Sequence, residues 1–199
     1  MAHLDDRLAD TRVPIHPHLA ARWSPRAFDP AADIRAEDLL ALVEAARWAA
    51  TWGGRQPVRF VVGVRGDDTF GRLVGVLRRG NSYASAAAAL LLVCADEGED
   101  ERTARYAAVD AGAAMANLAV EAVSRGLVTH PMAGFDVDAA RAAFGIPDGV
   151  APLAVVAVGM LGDYAAVGAA LAERDARPRT RPPLSEMAFA GRWGTPYVA

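Results

Sequence analysis

Apolar residues recur at helical spacing near the start of the chain. Leu39, Leu40, Val43, Ala46 and Ala50 alternate with Glu37, Asp38, Glu44 and Arg47, which predicts a helix over Glu37–Ala49 ending at the pair Gly53-Gly54. The β-branched run Val58–Val64 predicts a short strand, and after a polar turn a second helix runs from Thr69 to Leu77. Ala87–Ala95 is continuously apolar and predicts a buried strand. The acidic loop Glu97–Arg102 leads into a long amphipathic helix from Arg105 to Arg125, with Gly126 as its stop. A loop at Thr129–Gly134, a short helix Asp138–Phe144 and a strand Ala151–Val158 ended by Gly159 complete a mixed order of α and β. The long helix carries Ala107, Ala108, Ala111, Gly112, Ala113, Ala114 and Ala116, small enough for close backbone approach, so it is the candidate central or dimer-interface helix.

The tail breaks this pattern. Arg177-Pro-Arg-Thr-Arg-Pro-Pro183 is basic and proline-stiffened, and Leu184–Ala199 has too little apolar content for a core of its own. Such an arm is expected on another surface. With 199 residues, 53% of them hydrophobic, one domain over 1–199 is expected, with an N-terminal lead over 1–20 and an arm over 174–199.

Composition narrows the function classes. The longest apolar runs, Ala86–Ala95 and Ala151–Leu161, are too short to cross a bilayer, and the acidic start Met1-Ala-His-Leu-Asp-Asp-Arg7 does not resemble an export signal. No membrane partner and a cytoplasmic location are expected. The single cysteine, Cys94, sits in an apolar run and reads as core. A net charge of -3, with both signs mixed along most of the chain, disfavours nucleic acid.

Three regions hold the informative polar residues: Arg22-Trp-Ser-Pro-Arg-Ala-Phe-Asp-Pro30, Gly80-Asn-Ser-Tyr83 and Arg177–Arg181. Guanidinium groups suit phosphate, so basic clusters at both ends of a near-neutral chain suggest a small phosphorylated ligand, against the plain reading of solvated surface. No GxxxxGK[ST] or GxGxxG occurs, which disfavours a P-loop NTPase or Rossmann dehydrogenase. HExxH, paired CxxC and spaced histidines are also missing, with His3, His16 and His18 all in the lead, so no metal site is expected. Ser24 lacks a GxSxG context and reads as a hydroxyl donor or turn residue. His130 follows the long helix, where a loop could present it to a ligand; a capping or core role fits equally.

Taken in order and spacing, several segments resemble the nitroreductase family of FMN flavoproteins. They are Arg22-Trp-Ser-Pro-Arg-Ala-Phe28, Ala45-Ala-Arg-Trp-Ala49, Gln56-Pro-Val-Arg-Phe60, Asp110-Ala-Gly112, Gly126-Leu127, Pro131-Met-Ala-Gly-Phe-Asp136, Gly145-Ile-Pro147 and Arg179-Thr-Arg181. The resemblance covers nearly the whole chain. It implies an α+β fold, an α/β/α sandwich with a mixed sheet, in an intertwined homodimer whose C-terminal arms are exchanged.

The resemblance also implies a site. Arg22, Arg179 and Arg181 would hold the FMN phosphate, with Trp23 beside them and Ser24 on the ribityl side. Arg26 would lie beside flavin N1 and O2, where a fixed cation favours the anionic reduced ring; this is its implied part in catalysis. Asn81 would bond the pyrimidine edge, backbone groups at Ala133 and Gly134 would face N5 and O4, with Gly134 allowing close approach, and Pro131 and Met132 would belong to the same flavin-binding stretch. Thr51, Trp52 and Gly54 would reach the partner subunit's flavin. In that last stretch the sequence departs from the family's Pro-Ser-Ser-x-Asn-x-Gln-Pro-Trp: Ala50, Trp52, Gly54 and Val58 stand where proline, a small residue, asparagine and tryptophan are expected. Trp52 would then stack near the ring, narrow the substrate channel or fill the subunit interface.

The function implied is an NAD(P)H-dependent oxidoreductase. NADH or NADPH would reduce FMN by hydride transfer and leave, and an electron-poor small molecule such as a nitroaromatic or quinone would follow in ping-pong order. Two rival readings are a flavin-binding or storage protein whose Trp52–Gly54 segment covers the ring, and a specialised biosynthetic oxidase or dehydrogenase.

Overall fold

A computed structural model describes residues 7–197; residues 1–6 of the lead, with His3, and residues 198–199 of the arm lie outside the described residues. The elements in chain order are α1 (Pro17–Ala21), α2 (Ala36–Arg47), β1 (Val58–Val64), α3 (Asp68–Val76), β2 (Ala89–Asp96), α4 (Glu101–Ser124), β3 (Val128–Met132), α5 (Val137–Phe144), β4 (Val150–Gly159) and α6 (Ala169–Ala176). No helix among the described residues is long and apolar enough to cross a membrane.

The strands form one sheet in the order β1-β2-β4-β3. Alternation of side chains across the sheet sorts the apolar residues into two cores. Leu90, Leu92 and Cys94 of β2 face Phe70, Leu73 and Val76 of α3 and Ala140 of α5. Leu91 and Val93 face the opposite way, against Leu39, Leu42 and Ala46 of α2 and Ala107, Ala111, Ala114 and Leu118 of α4. The sheet is therefore the middle of three layers. Because β2 and β4 are covered on both faces, they read in sequence as unbroken apolar runs rather than as alternating ones. Burial pushes the Cys94 thiol up to about 11, in keeping with a core role.

Helix starts follow simple capping chemistry. Asp67, Asp100 and Asp136 each accept a backbone N–H of the first turn, at 2.6 Å, 2.8 Å and 2.9 Å. The Asp100 cap starts α4 at Glu101, four residues before the expected Arg105. The stop lies at the expected place, with Gly126 at φ +71°. Helix α2 ends at Arg47, short of Gly53-Gly54, which belong to a separate turn over Trp52–Gly54.

Two expectations are corrected. All three strand pairings are antiparallel, so within one chain the sheet is not mixed; α4 carries the chain to the far edge, and β4 returns between β2 and β3 antiparallel to both. Of residues Thr129–Gly134, expected as a loop, those up to Met132 belong to β3. Pro131 hides that strand in sequence, yet at a sheet edge a residue without an N–H is tolerated.

Candidate functional site

The two ends of the chain meet. Arg7, Arg22, Trp23, Ser24 and Arg26 from the start, and Arg174, Asp175, Arg179 and Arg181 from the end, line one pocket of about 190 Å³. The segment Arg22–Arg26 lies outside any helix or strand, so side chains fix it instead. Arg179 donates to the carbonyls of Arg7, Ala20 (3.2 Å) and Arg22 (2.8 Å). Arg7 in turn donates to Arg177 O at 2.9 Å, at the end of α6, and its guanidinium lies over the Trp23 ring. From the opposite side the buried His130 ring, on β3, bonds the carbonyls of Ser24 and Pro25 through Nδ1, each at 2.9 Å. Two carbonyl partners require Nδ1 to carry the proton. Of the roles open to His130, the strand placement selects the core one.

The electrostatics of the pocket are strongly one-sided. Burial, then the charge of Arg181, lowers the Arg22 pKa; burial, then Arg22, Arg181 and Arg7, lowers that of Arg179. Guanidinium groups stay charged despite such shifts, so their repulsion is relieved by an anion rather than by proton loss. Arg22 also donates to Ser24 Oγ at 3.2 Å, which places the hydroxyl inside the cationic cluster. The Trp23 indole N–H is buried in the pocket wall without a partner among the described residues. An orphan donor beside clustered cations suits an oxyanion ligand.

Arg26 is held by groups that sequence reading did not single out. Asp175 accepts its backbone N–H and its guanidinium, both at 2.6 Å, and also the hydroxyl of Tyr164 at 2.7 Å. Tyr83 stands between Arg26 and Asn81: its phenol interacts with Arg26 and donates to Asn81 Oδ1 at 3.3 Å. Asn81 Nδ2 donates to Gly134 O at 2.9 Å. A Cβ at position 134 would come within 2.6 Å of that amide nitrogen, so glycine here admits Asn81. Arg26, Tyr83, Asn81 and Gly134 are thus tied into one continuous network.

The remaining expected residues are distributed differently. Met132 is 3% exposed, and its side chain belongs to the core, while the exposed Pro131 and Ala133 offer backbone next to Gly134. Arg181 is exposed and, among the described residues, donates only to the neighbouring Thr180 O, at 2.8 Å. Thr51, Trp52 and Gly54 do not line the arginine pocket. Thr51 faces a separate apolar groove of about 640 Å³ between α2, β1 and α4. The backbone N–H of Trp52 donates to the buried Asp110 carboxylate of α4 at 3.1 and 3.2 Å. Its ring stacks on Tyr106, with 4.9 Å between centroids and 7° between planes, and the Arg102 guanidinium lies over it. Gly53 and Gly54 follow with φ of +58° and +70°, so Gly54 is a turn former here. Asp175 carried no local signal, since it acts on Arg26, 149 positions away, and Tyr164 acts through Asp175.

Comparison with known proteins bears on the family and the fold. The Nitroreductase family matches residues 19–74 and 75–160. A protein of Mycolicibacterium smegmatis known as the uncharacterized 15.4 kDa protein in ask 5'region is 67% identical over 147 residues, 70% of this chain and 99% of its own length. Among solved structures, an oxidoreductase containing FMN is 35% identical with a TM-score of 0.86, over 94% of this chain and 96% of that one. A nitroreductase-like protein from Exiguobacterium sibiricum, solved in complex with FMN, shares the fold at 19% identity and a TM-score of 0.73, over 90% of this chain and 98% of that one. From the matched segments and the three-layer fold around an arginine-lined pocket, the chain belongs to the nitroreductase family.

Proposed function

We propose that this chain is an FMN-dependent oxidoreductase whose arginine pocket receives the flavin phosphate. The observation that carries the reading is the convergence of Arg22, Arg179 and Arg181 with Ser24 and the unpartnered Trp23 N–H on one small pocket. At about 190 Å³ the pocket lies below the roughly 300–1,000 Å³ of a whole-ligand site, which fits a phosphate end rather than an entire flavin. Arg26, Asn81 and the Gly134 backbone would then bind the pyrimidine side of the ring. When bound, FMN supplies the two-electron chemistry. The chain's own groups bind and orient it, and no side chain is required as a nucleophile or general base.

Within this reading NADH or NADPH is the donor, and an electron-poor small molecule, a nitroaromatic or quinone, is the acceptor, the two using the site in turn. A homodimer supplies the second wall. Trp48, which lines the apolar groove, leaves 74% of its surface exposed, Leu40 of α2 and Val109 of α4 leave 70% and 60%, and the outer edge of β1 has no partner strand among the described residues. Such an exposed apolar face favours a second copy. The arm beyond Leu184, with Met187 and Trp193 exposed, is the segment available to reach it; Asp175 and Arg179 are engaged within their own chain.

The test is flavin content and uptake. Purified protein should carry FMN or quench FMN fluorescence with saturation, should bind riboflavin much more weakly, and should bleach on mixing with NADH or NADPH. Protein that neither carries nor takes up FMN overturns the reading. Uptake without bleaching by either nucleotide overturns the choice of donor alone.

A further inference from the structure

An acid in a pocket built to hold an anion opposes its ligand, so Asp175 calls for a separate explanation. It is the one carboxylate among the described residues lining the pocket, against Arg7, Arg22, Arg26, Arg174, Arg179 and Arg181. Its side chain is 2% exposed, and its two oxygens accept three donors: Arg26 N, Arg26 Nη1 and Tyr164 Oη. Binding the backbone and the guanidinium of one residue with one carboxylate fixes both where Arg26 sits and where its charge points. Burial, and next the bond to Asp175, push the Tyr164 phenol up, so it stays a proton donor to that carboxylate. Asp175 lies on α6, and both it and Tyr164 stand beyond residue 160, where the family match ends. The grip on Arg26 therefore comes from this chain's own C-terminal segment.

We propose that Asp175, supported by Tyr164, is a positioning residue that orients Arg26 toward the flavin pyrimidine and lowers the flavin reduction potential. The physical argument rests on the flavin reading above. Arg26 favours negative charge on the reduced ring, and a buried carboxylate 2.6 Å from that cation cancels part of its field in a place where water screens little. Tyr164 donates a hydrogen bond to the carboxylate and so moderates the cancellation. Removing the carboxylate charge raises the potential, whereas removing the Tyr164 donor lowers it.

The experiment is a redox titration of FMN-loaded, full-length protein against a reference dye, in parallel with FMN affinity by fluorescence, for wild type, Asp175→Asn and Tyr164→Phe. Asparagine keeps the shape and one acceptor oxygen but removes the charge. Asp175→Asn is expected to shift the reduction equilibrium at least tenfold toward reduced flavin, about 30 mV for a two-electron couple. Tyr164→Phe is expected to shift it in the opposite direction. A merely structural role for Asp175 moves stability but not potential with these opposed signs. FMN-loaded Asp175→Asn protein whose potential is unchanged or lower overturns this proposal and leaves the flavin reading standing. If that variant does not fold, Tyr164→Phe decides alone, and an unchanged or higher potential overturns the proposal. Wild-type protein that takes up no FMN overturns the flavin reading and this inference with it.

Discussion

In the arginine pocket, side chains hold together backbone from the two ends of the chain: Arg179 reaches Arg22 across 157 positions, and His130 reaches Ser24 across 106. In the Trp52 turn, a single neighbouring helix does the holding, since Asp110, Tyr106 and Arg102 all belong to α4. The difference teaches what each region can tolerate. In the pocket, the cations that attract a ligand are partly the same cations that build its walls, so altering one disturbs fold and affinity together. The turn rests on a scaffold that stands without it, so its aromatic residue is free to differ from the family pattern.

Arg179 and Arg181 test this division at its sharpest point. Arg179→Ala removes a guanidinium that three carbonyls use, and hydrogen bonds to charged groups contribute about 1.5–3 kcal/mol. We expect a clear loss of thermal stability, a C-terminal segment more open to protease, and weakened FMN binding. Arg181→Ala removes a side chain that, among the described residues, is bonded only to Thr180 O. We expect FMN affinity to fall by about 1.5–3 kcal/mol, roughly ten- to a hundredfold, with the melting temperature unchanged. Equal losses of stability in the two variants would abolish the distinction between a wall-building arginine and a ligand-binding one.

The same division explains what could be read from the sequence. Strand β1 was legible to the residue, and α3 and α5 nearly so, because their apolar spacing is local. Arg22, Arg26, Asn81 and Arg179 were legible as a set through the family resemblance, and the fold ties them together. Strand β3 was not legible, because Pro131 argues against a strand until the strand is known to lie at an edge. Asp175 was not legible either: in sequence it is one acid of Ala-Glu-Arg-Asp-Ala176, and only folding sets it against Arg26, 149 positions earlier. Local periodicity reports helices and strands, whereas a carboxylate's partner is a tertiary fact.

The next largest effect is expected at the turn. Asp110 is 5% exposed, and its carboxylate accepts the Trp52 N–H with both oxygens. Asp110→Ala leaves that donor without its partner, at a cost of about 1–3 kcal/mol. Urea denaturation should report the loss, and Trp52 should change its fluorescence as it leaves the Tyr106 stack. FMN affinity should stay closer to wild type than in Arg181→Ala. A loss of affinity as large as that of Arg181→Ala, at unchanged stability, would make the turn part of the phosphate side of the site and erase the contrast.

The smallest expected effect is a pH dependence confined to the pocket. Burial, then the charge of Arg26, lowers the His130 pKa from its ordinary 6.5, against the opposing pull of the Pro25 and Ser24 carbonyls. The folded chain therefore binds this proton less readily than the unfolded chain does. Above pH 6.5 both states are neutral at this residue; as pH falls below 6.5 the unfolded state takes the proton first, and stability declines until the folded His130 also titrates. One proton limits the slope to about 1.4 kcal/mol per pH unit. Denaturation curves for wild type and His130→Gln at several pH values from neutral to mildly acidic should diverge in slope, with the glutamine variant flatter. Parallel curves would mean that His130 titrates alike in both states, and would leave the Ser24–Pro25 wall held by something other than a neutral imidazole.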